Sequence, residues 1–213
     1  MFLIYLMNIL SMPGIDLLIS RDLSLEFKTQ LDENILKKLE RELFFKHGMS
    51  IKLSIEHFEK FHDILKNNLD IGIEKFETDC IKKIVQVSKN KNNHVVKITS
   101  QKLCDKIFNF YGDPESRKIL MILMDGQKTI SEILAISKVL KSPAYRKIEN
   151  LLLDGLILES GTILANNKRV SRYNCIFDEI HIILGKDHLM VEGVVNHMNF
   201  NTSSIAKLGL FEN

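Results

Sequence analysis

DPESRKILMILMDGQKTISEILAISKVLKSPAYRKIENLLLDGLILESGTILANNKRVSRYNC, residues 113–175, carries the densest start and stop signals in the chain. Asp113-Pro114 supplies a capping side chain followed by proline at the first helical position. The helix it opens holds Ile119, Leu120, Ile122 and Leu123 and stops at Asp125-Gly126. Thr129-Ile130-Ser131-Glu132 has the spacing of a capping box, in which hydroxyl and carboxylate each satisfy a backbone N–H. The helix it predicts is short, Ile130 to Ser137. Ser142-Pro143 repeats the cap-then-proline signal for a third helix, 142–153, which ends at Asp154-Gly155. Strand-like segments follow at Leu156–Leu158 and Thr162–Leu164, then a tight turn at Asn166-Asn167 and a return strand from Arg169 to Ile176.

Three helices followed by a hairpin is the order of a winged helix-turn-helix, with the wing at 162–176. Charge placement supports that reading. Residues 113–175 hold ten basic and seven acidic side chains, a local net of +3. Lys138, Lys141, Arg146 and Lys147 cluster at the start of the third helix, and Lys168, Arg169 and Arg172 sit on the hairpin, with no acid inside either group. Those are the two elements that touch DNA in such a fold. At about 100° per residue, Ala144, Ile148, Leu151 and Leu152 form one face of the helix, with Arg146, Glu149 and Asn150 opposite and Tyr145 and Lys147 flanking. Arginine pairs with guanine and asparagine with adenine in the major groove. Ser142 and the first-turn N–H groups suit a phosphate. The expected DNA-binding residues are therefore Lys141, Ser142, Tyr145, Arg146, Lys147, Asn150, Lys168, Arg169 and Arg172.

N-terminal to this stretch, Asp32 caps a predicted helix to His47, with Ile35, Leu36, Leu39, Leu43 and Phe44 at helical spacing and Gly48 as its stop. A second helix starts near Ser54, with Ile55, Phe58, His62 and Leu65 on one stripe, and a third covers Asp70 to Ser88. Residues 32–88 thus read as a small helical output or dimerisation domain, whose stripes include Phe44, Phe58 and Phe76. Lys89 to His94 is polar and asparagine-rich and reads as a linker. A short strand at Val95 to Ile98 and a helix from Ser100 to Gly112 complete a connecting segment, 89–112. The DNA-binding domain then spans 113–192 and ends in a hairpin of Ile180–Leu184 and Leu189–Val191. Residues 193–213 read as a polar, frayed tail.

Composition narrows the function classes. The 213 residues are 45% hydrophobic and 26% charged, with 29 basic and 27 acidic side chains, so the chain is globular and no global field announces its partner. Cys80, Cys104 and Cys175 stand apart, without ligand spacing, which excludes a zinc finger or disulfide scaffold and fits a reducing cytosol. Met1 to Ser20 is apolar, but it lacks a basic residue before its apolar core, and Asn8, Pro13, Gly14 and Asp16 interrupt it. Residues 1–31 therefore read as an extension, poorly ordered or preceding a true start nearer Met7 or Met12, and no membrane partner is expected. His57 and His62, five apart, lie about 140° apart on a helix and do not share a metal. No phosphate-binding glycine loop and no serine-nucleophile motif is present. No enzyme, catalytic residue, metal or cofactor is expected.

Four segments carry a family resemblance: Gly112-Asp113-Pro114-Glu115-Ser116-Arg117-Lys118-Ile119-Leu120, Thr129 to Leu134, Tyr145-Arg146-Lys147-Ile148 and Asp154-Gly155-Leu156-Ile157. They resemble the ArsR-like winged-helix transcription regulators of ammonia-oxidising archaea, and Lys168 to Tyr173 is similar to that group's wing. Lys38 to Phe44, His47 to Ile51 and His57 to Lys60 are similar to its helical Nitrosopumilus output domain. The resemblance covers about residues 30 to 190 and implies a transcription regulator with a C-terminal DNA reader. Ser131 to Val139 holds no cysteine where metal-sensing ArsR proteins place theirs, so metal sensing is not implied. Asn166-Asn167 stands where that group has glycine-rich, acidic wing tips.

The expected fold is mainly α with a small β-wing: a helical N-terminal domain plus a winged helix-turn-helix. The expected function is a cytoplasmic, sequence-specific DNA-binding transcription regulator. Its partners are double-stranded DNA and a second copy in a homodimer, with an effector left open. The alternative is a protein–protein interaction module of a transcription or chromatin complex that uses the winged helix for docking.

Overall fold

The computed structural model describes residues 14–69, 72–90, 93–165 and 167–211. The expected start near Met7 or Met12, the helix start at Asp70 and Asn166 of the expected turn lie outside them. Within them the chain is a mixed α/β protein, 56% helical and 23% strand, which overturns the expectation of a mainly α fold with a small β-wing. Five helices come first: α1 (Ile15–Gln30), α2 (Glu33–His47), α3 (Ile51–Ile55), α4 (Phe58–Lys66) and α5 (Ile73–Lys82). Strands β1 (Val85–Asn90) and β2 (Asn93–Ile98) follow, then α6 (Gln101–Gly112). Next come α7 (Pro114–Met124), β3 (Lys128–Thr129), α8 (Ile130–Ser137), α9 (Lys141–Leu153), β4 (Ile157–Ala165) and β5 (Lys168–Cys175). The chain closes with β6 (Glu179–Leu184), β7 (Leu189–Asn196), α10 (His197–Asn201) and α11 (Ser204–Lys207).

Two sheets organise these elements. One has four antiparallel strands in the order β1-β2-β7-β6, and the other has three in the order β3-β5-β4. In the first, Val96 lies opposite Gly193 and Ile98 opposite Val191, so strands flanking residues 101–175 pair directly. Of the expected linker, Lys89, Asn90, Asn93 and His94 therefore lie in paired strands, with Lys91 and Asn92 outside the described residues, and Val85 to Ser88 is strand where helix was expected. The sequence pattern hides this because the pairing is nonlocal, and strand preference depends on the neighbours a residue meets. The stretch 101–175 is inserted between two hairpins of one sheet.

The expected extension is corrected from Ile15 onward. Ile15, Ile19, Leu23 and Phe27 are fully buried on α1, which packs against α3, α5 and α6. The tail is corrected as well: Phe200, Ile205, Leu210 and Phe211 are buried. Asp16 joins the two ends. Its carboxylate accepts from Ser203 Oγ and, at 2.6 Å each, from Ser204 N and Oγ. Gly155 shows how closely the inserted unit seats on α1. Its φ is +71°, and a Cβ there would lie 2.5 Å from the backbone N of Leu18.

The aromatic residues expected at a dimer surface are largely spent inside. Phe58 is fully buried, and Phe76 packs on Phe27 at 5.7 Å between ring centroids. Phe44 alone of the three is exposed, at 66%.

Candidate nucleic-acid interface

Local chemistry builds the inserted unit. The Asp113 carboxylate accepts from the Ser116 N–H at 2.8 Å, and Pro114 occupies the first turn of α7. Thr129 Oγ1 accepts from the Glu132 N–H, while Glu132 Oε2 accepts from the Thr129 N–H at 2.7 Å. That hydrogen bond from the Thr129 N–H holds the Glu132 carboxyl below its usual range. α8 then ends at Lys138, a left-handed residue with φ 55°. α9 begins at Lys141 with Leu140 as its N-cap and no side-chain cap. Ser142-Pro143 thus lies inside the first turn, and the expected Ser142 cap is not formed.

Ala144, Ile148 and Leu151 face the core. Lys141, Ser142, Tyr145, Arg146, Glu149 and Asn150 are exposed. Lys147 is not free: its Nζ lies 2.5 Å from Asp113 Oδ2 and 3.5 Å from Glu115 Oε2, with only 18% of the side chain exposed. This ammonium, with the Ser116 hydrogen bond, holds the Asp113 carboxyl down at about 2. The same ion pair ties α9 to the start of α7. Next to it, Lys106 of α6 pairs with Asp154.

The exposed residues of α9 divide between two settings. Tyr145, Ser142 and Glu149 face open solvent. Arg146 and Asn150, with Lys147, line a cleft of about 460 Å³ whose other wall carries Asn109 and Phe110 of α6. Arg146 has no ion pair among the described residues, so its guanidinium keeps its donors for a partner.

The hairpin divides in the same way. Lys168 and Arg169 are exposed beside Asn167, whose φ of 59° makes the turn. Arg172 is half-buried and donates from Nη2 to the Gln127 carbonyl at 2.6 Å, which fixes β5 to the segment before β3. β4 runs as one strand from Ile157, with a register shift between Glu159 and Gly161, in place of the two short segments expected. Lys138 was counted in the charge cluster but not as a site residue. It is exposed, and among the described residues it has no ion pair. Lys138, Lys141, Arg146, Lys168 and Arg169 are thus exposed cations without an acidic partner among the described residues. Lys147 and Arg172 serve the fold.

Apolar exposure was not legible in the sequence. Leu140 is 76% exposed and Leu153 is 56% exposed, at the two ends of α9. Among the described residues no group of three or more His, Cys, Asp or Glu side chains is placed to hold a metal, and no helix is long and apolar enough to cross a membrane. No family model matches the chain, and neither a curated protein nor a solved structure matches it.

Proposed function

We propose that the protein is a sequence-specific, DNA-binding transcription regulator that inserts α9 into the major groove and rests the β4–β5 hairpin on the backbone. The observation that carries this reading is Arg146. It is an exposed guanidinium with no acidic partner among the described residues, on a helix whose neighbouring lysine is held by Asp113. A free arginine beside Asn150 gives α9 one group suited to guanine and one suited to adenine. Lys138, Lys141, Lys168 and Arg169 supply charge for phosphates, which position a reader without conveying sequence. The resemblance to archaeal ArsR-like regulators points the same way. Three free, buried cysteines suit a reducing cytoplasm. The working form is a homodimer, because two-fold sites are read by paired readers about one helical turn apart.

Selection of bound duplexes from a random pool tests this reading. A recovered motif common to the bound fraction supports it, and a pool without enrichment contradicts it. The exposed Leu140 and Leu153 favour a second reading, in which α9 docks on a protein. In that case duplex affinity is weak and nearly independent of salt.

A further inference from the structure

The four-stranded sheet has two edges of opposite character. β1 shows solvent the polar side chains Gln86, Ser88, Lys89 and Asn90, the kind of edge that discourages pairing. β6 reads Glu-Ile-His-Ile-Ile-Leu, with no proline and no lysine within the strand. Ile183 is 49% exposed and Leu184 is 67% exposed. Ile180 and Ile182 are half-buried against the core on one face. An edge of this length and apolarity is a template for another strand.

The hydrogen-bond phase fixes which groups it offers. The Gly185 N–H donates to the His188 carbonyl at 2.8 Å across the β6–β7 turn. β6 pairs with β7 so that Ile183 faces Met190 and His181 faces Glu192. Hydrogen-bonded and non-bonded pairs alternate along an antiparallel ladder. Gly185, Ile183, His181 and Glu179 therefore aim their backbone groups at β7, and Ile180, Ile182 and Leu184 aim theirs outward.

We propose that β6 is the homodimer interface, pairing antiparallel with β6 of a second copy about a two-fold axis through Ile182. Only residues with outward backbone groups can form bonded pairs, so a two-fold axis lies on a residue and not between two. Centred on Ile182, the ladder sets Ile180 opposite Leu184 of the partner subunit, and Leu184 opposite Ile180 of the partner subunit. All three outward residues then pair, and the most exposed end of one apolar row covers the more protected end of the other. Shifting the axis to Ile183 would leave Ile180 without a strand residue opposite it, and shifting it to His181 would leave Leu184 without one. The edge is thus self-complementary in its outward backbone groups and in its apolar row, which an isologous contact requires.

This names the contact surface of the dimer proposed above and rests on that reading. Association is measured without DNA, so the two fail separately. The full chain should sediment at twice 24.6 kDa. Leu184→Lys, at an exposed position, should sediment as a monomer while keeping the native circular dichroism spectrum. Ile182→Cys should cross-link on mild oxidation, since bonded antiparallel pairs place Cα atoms about 5.5 Å apart, within disulfide reach. Ile183→Cys, facing His181 of the partner subunit, should not. The native thiols are buried and give no background. A monomeric full chain, a dimer indifferent to Leu184→Lys, or cross-linking at 183 in place of 182 would overturn the proposal. Recruitment of an edge strand from a different protein onto a monomeric chain would overturn it too.

Discussion

Replacing Lys168 and Arg169 together with alanine removes two exposed cations that lack an acidic partner among the described residues. Each cation withdrawn from a phosphate should make log K against log salt shallower by about 0.9, so the slope for the double variant should shrink by about 1.8 per bound chain. Between 50 and 200 mM salt that difference corresponds to roughly a tenfold change in how far affinity falls. Lys147→Ala is the internal control. Its ammonium is already 2.5 Å from Asp113 and does not serve a phosphate, so the slope should stay unchanged although a sequence-level charge count treats the two sites alike. Fluorescence anisotropy on a labelled duplex across a salt series reads both slopes. An unchanged slope in the double variant, or an equal reduction in Lys147→Ala, would refute the division into free and structural cations.

Stability should depend on pH through two buried carboxyls. Burial pushes Asp16 and Glu77 up to about 7 each, and Glu77 Oε2 lies 2.8 Å from His62 Nδ1. Their folded forms hold protons that the unfolded chain has released, so the urea midpoint should fall as pH rises from about 4.5 to above 7, and Asp16→Asn should flatten that decline. A midpoint rising with pH across this window would contradict the assignment. The lowered carboxyls of Asp113 and Glu132 act below it. Gly193→Ala would place a Cβ 2.3 Å from Cδ1 of the fully buried Phe177 ring, an overpacking that should cost about 1–3 kcal/mol in chemical denaturation. Phe177→Leu in the same chain should recover part of that stability, and an unaltered Gly193→Ala variant would remove the clash from the account.

Local signals were legible because they need only nearby residues. Asp32, Asp113 and Thr129 cap the helices expected of them, and Gly48 stops α2 in the left-handed conformation. The four-stranded sheet was hidden because β2 meets β7 across the inserted helices and hairpin, and a polar run at Lys89 to His94 looks alike in a linker and at a hairpin end. α1 was read as an extension because its buried face follows an apolar segment with no cap: Gly14 precedes it without a side-chain hydrogen bond. The site was half legible. Helical phase separated Ala144, Ile148 and Leu151 from Arg146 and Asn150. Charge counting could not see that Lys147 belongs to Asp113, or that Arg172 belongs to the Gln127 carbonyl.

A role for α9 in reading base sequence is tested by Arg146→Ala measured on two duplexes. One duplex carries the motif recovered from a random pool, and the other has the same length and a scrambled sequence. Removing a bidentate guanine pairing should cost about 1–3 kcal/mol on the motif and change the scrambled duplex only through one missing charge. Equal affinity of variant and wild type for the motif, or equal weakening on both duplexes, would contradict it.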